Sequence, residues 1–191
     1  MGGMSEQPLR GWFAIGAEAI SKEVNFGNLM RTAHAFGAAY LFLVDPATTL
    51  RQAGRTDTSR AHLSLPVFRH RSPEELTLPH GAKLVGVELT EDAVPLPSFR
   101  HPSAAAYVFG PERASLSPAM LARCDHVVRI PTRFCVNLAI AAAIVMYDRQ
   151  LTLGRFGERP VMPGGPVQAP APHVHGGVVL RRARADGASG G

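Results

Sequence analysis

Residues 104–117 read AAAYVFGPERASLS. The run from Ala104 to Phe109 is apolar without a break. Gly110 and Pro111 then end it, and Glu112 follows. A continuous apolar run of this length suits a strand covered on both faces of a parallel sheet. Four further runs have the same character: WFAIGAEA (12–19), AYLFLV (39–44), KLVGVEL (83–89) and HVVRI (126–130). Helix signals fall between and after them, at 27–36, 73–77, 117–123 and 136–151. Such alternation predicts an α/β domain, a parallel sheet with right-handed crossovers and helices on both faces. In an open sheet of this kind ligands bind at the carboxyl ends of the strands. Gly110 and Glu112 stand at such an end. Gly110 lets a ligand approach the backbone, and Glu112 lies near a helix N-terminus, where negative charge is favoured.

The totals fit that picture. The chain has 191 residues, 46% of them hydrophobic, enough for one domain with a real core. Its longest apolar runs are too short to span a bilayer, and MGGMSEQPLR at the start carries no basic-then-apolar signal pattern. The expected location is cytoplasmic, with no membrane partner. Two cysteines, Cys124 and Cys135, make neither a disulfide framework nor a Cys-x-x-Cys metal site, and no metal is expected. The net charge is +5, and of 20 basic residues only Lys22 and Lys83 are lysines. A basic chain suits an anionic partner such as nucleic acid, although Arg-rich composition also follows from a GC-rich genome.

Two stretches concentrate that charge. Residues 51–71, RQAGRTDTSRAHLSLPVFRHR, hold Arg51, Arg55, Arg60, Arg69 and Arg71 against the single Asp57. They show no clean period and read as a loop-rich surface patch, either a solvated crossover or a phosphate-binding face. Residues 153–191 are rich in Gly and Pro and poor in large apolar residues. They read as a disordered basic tail following a domain at 1–152. The tail is either a solvated terminus or a weak electrostatic hold on RNA.

Several chemistries lack their motifs. The chain has no G-x-x-x-x-G-K-[ST] loop, no G-x-G-x-x-G fingerprint and no G-x-S-x-G elbow. Two other stretches do stand out. NFGNLMRTAHAFG (25–37) begins with Asn25 and carries Arg31 within an otherwise apolar helical pattern. RIPTRFCVNLAIAAAIVMYDR (129–149) ends a strand at Ile130-Pro131 and starts a helix near Cys135-Val136-Asn137. There Asn137 can bond free backbone N–H groups, and the small residues LAIAAAI permit close packing.

In order along the chain these are N-x-G-x-x-x-R-T, F-G-P-E-R and I-P…C-x-N-x-A-x-A. The set resembles the SpoU (TrmH-like) family of the SPOUT RNA methyltransferases over about residues 10–150. Many members have Ser-Leu-Asn after a longer, glycine-containing loop. This chain has the short IPTRF and then Cys135-Val136-Asn137.

The resemblance implies a single SPOUT-type domain with a C-terminal deep trefoil knot, and a homodimer whose catalytic groups meet across the interface. It implies S-adenosylmethionine held in the knot by Leu89, Gly110, Ile130, Cys135 and Val136. It also implies a polar catalytic cluster of Asn25, Arg31, Glu112 and Asn137, in which Asn25 holds Arg31 in place. The reaction would be methyl transfer to a ribose 2′-OH of RNA. A guanidinium is a poor base, so Arg31 is read as a clamp on phosphate and on the developing alkoxide. RNA contacts would come from Arg31, Arg51, Arg55, Arg60, Arg69 and Arg71. Transfer RNA is slightly favoured over ribosomal RNA. The rival readings are a non-catalytic RNA-binding or ribosome-assembly protein on the same fold, and a small-molecule methyltransferase.

Overall fold

A computed structural model of the chain describes residues 11–47 and 65–154. Arg51, Arg55, Arg60 and the tail from residue 155 onward therefore lie outside the described residues.

Seven strands form one sheet: β1 (Trp12–Glu18), β2 (Tyr40–Val44), β3 (Val67–His70), β4 (Lys83–Val87), β5 (Val94–Pro95), β6 (Ala104–Phe109) and β7 (His126–Arg129). Their order is β3-β2-β1-β6-β4-β7-β5, and every pairing is parallel. Among the described residues three α-helices accompany them, α1 (Glu23–Ala35), α2 (Pro118–Arg123) and α3 (Leu138–Leu153), with a 3-10 turn at Leu96–Ser98. The chain is thus an α/β fold built on a seven-stranded parallel sheet.

Period-two alternation sorts the strand residues into two cores. Phe13, Ile15 and Ala17 of β1, Leu41 and Leu43 of β2, and Ala105, Tyr107 and Phe109 of β6 face one side. There they pack with Phe26, Leu29, Met30 and Ala33 of α1 and Leu138, Ala141, Ala142, Val145 and Met146 of α3. Ala14, Phe42, Val44, Leu84, Ala106 and Val108 face the other side and meet Leu76, Leu116 and Met120. Because both faces are covered, the strands read as unbroken apolar runs. Gly16 makes room for Phe42, since a Cβ there would lie 2.2 Å from its ring.

The structure corrects several expectations. Residues 73–77 do not form a helix. Their carbonyls are taken by a side chain instead: the Arg123 guanidinium donates to the oxygens of Pro73, Glu74 (2.8 Å) and Leu76 (2.6 Å). Part of the 51–71 loop is strand β3, at the sheet edge. The two-residue β5 at the opposite edge was not expected. Helix α1 starts at Glu23, four residues before the expected 27, and α3 runs from Leu138 to Leu153.

The amino end of the sheet is locked by Arg149, which is 1% exposed. Its guanidinium donates to the carbonyls of Pro102 (2.5 Å), Ser103 (2.8 Å) and Trp12 (3.2 Å), and to the Tyr107 hydroxyl (3.2 Å). His101 lies beside it, 2.6 Å from Tyr107 Oη and 2.9 Å from Asp148 Oδ2. Burial pushes His101 below its ordinary value and Tyr107 up to about 12. With both groups neutral, Tyr107 donates to His101 Nδ1, and His101 Nε2–H donates to Asp148.

Candidate active site

The carboxyl edge of the sheet is organised around the loop that follows β6. Gly110 starts it, and a Cβ there would lie 2.9 Å from the Leu116 nitrogen and 3.1 Å from the Ser115 carbonyl carbon. The bare Cα thus lets the loop fold back on its own backbone. Carboxylates from two other strand ends hold the loop's return. Glu88 Oε2, just beyond β4, accepts from Leu116 N–H at 2.8 Å. Glu18, at the end of β1 and buried, accepts from Ser117 N–H at 2.8 Å and from its hydroxyl at 2.5 Å. The Ser117 Oγ in turn accepts from Met120 N–H at 3.0 Å and caps α2.

A third carboxylate, Glu112, reaches from the loop to the start of α1. The N-cap residue of that helix, Lys22, makes no side-chain cap. Glu112 replaces it: Oε1 accepts from Lys22 N–H (3.2 Å), and Oε2 accepts from Ser21 N–H (3.4 Å) and Ser21 Oγ–H (3.1 Å). A carboxylate here also complements the positive end of the helix dipole. The chain approaches this point through Ala19, whose φ of 49° lies in the left-handed region. That conformation costs a non-glycine residue about 1 kcal/mol. The borrowed cap explains why α1 begins ahead of the apolar pattern in the sequence.

Asn25, 5% exposed in the first turn of α1, links this cap to α3. Its Nδ2 donates to Glu112 Oε1 at 2.8 Å, and its Oδ1 accepts from Asn137 Nδ2 at 3.1 Å. Asn137 is the N-cap of α3, and its Oδ1 accepts from Ala139 N–H at 2.9 Å. Both amides are therefore oriented by their partners. Burial alone would raise the Glu112 pKa. The bonds from Asn25, from backbone N–H groups and from Ser21 outweigh it and hold the carboxyl below its ordinary 4.5.

Beside this chain of bonds lies a cleft of about 720 Å³. Val87, Glu88 and Leu89 line it after β4, Phe109 to Ser115 after β6, and Ile130, Thr132, Cys135, Val136 and Asn137 after β7, with Leu138 and Ala141 of α3 behind. Lys22 and Asn25 of the α1 start complete it. Leu89 is 45% exposed, and its N–H donates to Glu88 Oε1 at 2.8 Å. A cleft bounded by three parallel strand ends is where an open α/β sheet takes a ligand.

The model of the SpoU rRNA Methylase family matches residues 13–147, most of the chain and all three motif segments. The chain belongs to that family. A curated relative, the mouse tRNA (guanosine(18)-2'-O)-methyltransferase TARBP1, is 28% identical over 149 residues. That match covers 72% of this chain and 9% of the relative, so this chain spans about a tenth of that protein's length. Among solved structures, the SpoU methyltransferase AviRb from Streptomyces viridochromogenes superposes with a TM-score of 0.66 at 26% identity. That likeness covers 78% of this chain and 63% of AviRb. Its complex with the cofactor AdoMet gives 0.64 at 25% identity, over 74% and 61% of the two chains. The A. aeolicus TrmH/SpoU tRNA modifying enzyme shares the fold, with a TM-score of 0.66, 22% identity and coverage of 73% and 74%.

In this SpoU-family chain the motif residues do not all converge. Asn25, Glu112 and Asn137 form one hydrogen-bonded set, and Leu89, Gly110, Ile130, Cys135 and Val136 all line the cleft. Arg31 is exposed and is not among the cleft residues. Six residues past Asn25, it lies roughly 240° around α1 and about 9 Å along it. The Asn25 amide is engaged by Glu112 and Asn137. Arg69 and Arg71 are exposed at the β3 edge. Three strand spacings separate β3 from β6, roughly 14 Å. Sequence reasoning missed Glu18, Glu88 and Ser21, because a lone Glu or Ser after an apolar run carries no signal of what it will bond. Among the described residues no group of three or more His, Cys, Asp or Glu side chains is placed to hold a metal. None of the helices there is long and apolar enough to cross a membrane.

Proposed function

We propose that this protein is an S-adenosylmethionine-dependent RNA methyltransferase that modifies a ribose 2′-hydroxyl. The observation that carries this reading is the set Glu112–Asn25–Asn137, joined across three chain segments at the wall of the cleft. The cleft suits the donor chemically. Phe109, Ile130 and Leu138 offer apolar walls for an adenine ring, and Glu88 and Glu112 offer carboxylates to a sulfonium cation. Its volume lies within the range of small-molecule sites. Leu89, Gly110, Ile130, Cys135 and Val136 would hold the donor, which supplies an electrophilic methyl group.

The chain's own residues position the ribose and manage its charge. Glu112 is already saturated with donors and stays ionised, so it acts as the anchor of the α1 start and the β6 loop. Arg31 clamps phosphate and stabilises the developing alkoxide with its planar fork. Its exposed place outside its own cleft supports a homodimer in which Arg31 serves the partner's cleft. Ile140 and Tyr147, one heptad apart on α3 and each 54% exposed, supply an apolar stripe for the interface. The remainder of the reading is a cytoplasmic enzyme, a trefoil knot formed by the segment from Pro131 through α3, and a basic tail. Arg51, Arg55, Arg60, Arg69 and Arg71 would hold the RNA. Transfer RNA is the favoured substrate, on the strength of the TARBP1 likeness.

The test is calorimetric titration with S-adenosylmethionine, followed by transfer of a labelled methyl to bulk transfer RNA and ribosomal RNA, with the modified nucleoside identified by mass. Cofactor binding and a 2′-O-methylated nucleoside are expected. A folded protein that binds RNA but neither takes up S-adenosylmethionine nor transfers methyl would return the reading to a non-catalytic RNA-binding protein.

A further inference from the structure

The loop between β7 and α3 runs Pro131-Thr132-Arg133-Phe134-Cys135, and all five residues are exposed. Phe134 is 76% exposed, the most exposed large hydrophobic side chain among the described residues. A single exposed ring is ordinary on a protein surface; its setting here is not. Thr132 and Cys135, two residues before it and one after, both line the cleft. Arg133 precedes it, and Lys22 and Arg113, both exposed, belong to the cleft wall. Phe134 thus stands on a loop whose residues line the cleft, next in sequence to Arg133, and the same cleft carries two further cations in its wall.

We propose that Phe134 is a stacking platform for a nucleobase of the RNA substrate, with Arg133, Arg113 and Lys22 holding the adjoining phosphates. The proposal rests on the RNA methyltransferase reading and names a subsite of that site. Single-stranded nucleic acid is held by this combination, a cationic track and aromatic faces on which bases stack. Charge complementarity selects this occupant over a second copy of the chain. A polyanion neutralises the three cations, whereas another copy brings the same cations and a net charge of +5. Exposure of the ring in the free protein follows, since the base is absent until RNA arrives.

The test uses the full chain and three variants, Phe134→Ala, Phe134→Leu and Phe134→Trp. The readouts are S-adenosylmethionine calorimetry, light scattering, and binding of an oligoribonucleotide containing 2-aminopurine, with bulk transfer RNA as a second probe. Phe134→Ala is expected to weaken RNA binding about 10-fold and to abolish the quenching of 2-aminopurine. Phe134→Leu is expected to behave like it, because it keeps the apolar bulk and loses the flat face. Phe134→Trp is expected to bind like wild type, and none of the three to change cofactor binding or oligomeric state. Unchanged RNA affinity and quenching in Phe134→Ala, with cofactor and RNA still bound, overturns the stacking role and leaves the enzyme reading standing. Dissociation of an oligomer by Phe134→Ala overturns it in favour of an interface between copies. A wild type that binds neither RNA nor S-adenosylmethionine overturns both.

Discussion

Asn25 Nδ2 donates to Glu112 Oε1 at 2.8 Å, joining residues 87 apart in sequence. The same amide accepts from Asn137, so one buried side chain holds the first turn of α1, the loop after β6 and the N-terminus of α3 together. Three segments that each look ordinary become a single polar unit through it.

Removing that bridge is expected to cost more than its size suggests. Asn25→Ala leaves Asn137 Nδ2 and a Glu112 oxygen short of a partner in a partly buried place. A loss of about 1–3 kcal/mol is expected, read from urea denaturation. Asn25→Asp sets a second carboxylate against Glu112 and is expected to be worse at neutral pH and to recover partly in acid. If Asn25→Ala melted like wild type, water would be replacing the bridge at no cost.

Half-buried Glu112 and buried His101 shape the pH profile in separate windows. Glu112 has a lowered pKa in the fold, so the unfolded chain binds its proton first as pH falls. Its stabilisation is present above 4.5 and is lost as pH drops through the lower folded value. His101 is also pushed down, chiefly by burial. The folded state resists its protonation, and stability declines as pH falls below 6.5. Melting temperature against pH is expected to show both limbs. Glu112→Gln should flatten the more acidic one, and His101→Gln the one nearer neutrality.

The two cysteines are expected to report on the cleft. Cys135 is exposed in the cleft wall, whereas burial pushes the Cys124 thiol up to about 11. Brief alkylation at neutral pH should therefore label Cys135 and spare Cys124. S-adenosylmethionine should slow that labelling in proportion to occupancy, followed by peptide mass. Equal rates with and without it would place the cofactor elsewhere.

Mixing subunits tests where Arg31 acts. Arg31→Ala and Cys135→Trp, which fills the cleft, are each expected to be inactive alone. Coexpressed in one cell, they form mixed dimers in which one of two sites is intact, restoring about a quarter of wild-type activity by random pairing. No restoration from a proven mixed dimer would show that Arg31 serves its own subunit. Arg31→Lys is expected to restore little kcat, since an ammonium cannot make the bidentate fork.

The sheet could be read from the sequence because burial on both faces writes itself as unbroken apolar runs. Five strands, α2 and α3 fall within about two residues of where the runs and breaks put them. The edge strands were not legible. Val67–His70 contains Arg69 and His70, and Val94–Pro95 is too short to show a period; both exist because a neighbour offers hydrogen bonds. The supposed helix at 73–77 failed for the converse reason, since Arg123, some 50 residues away, competes for its carbonyls.

The sequence by itself determined the α/β class, the order of the three motifs and the family they resemble, since these depend on local pattern. Only the tertiary structure decided that Glu112 bonds the start of a helix it does not belong to, and that Glu18 and Glu88 pin the β6 loop. Hydrogen bonds of 2.5 to 3.4 Å are set by where parallel strand ends converge, and no residue's identity contains that distance.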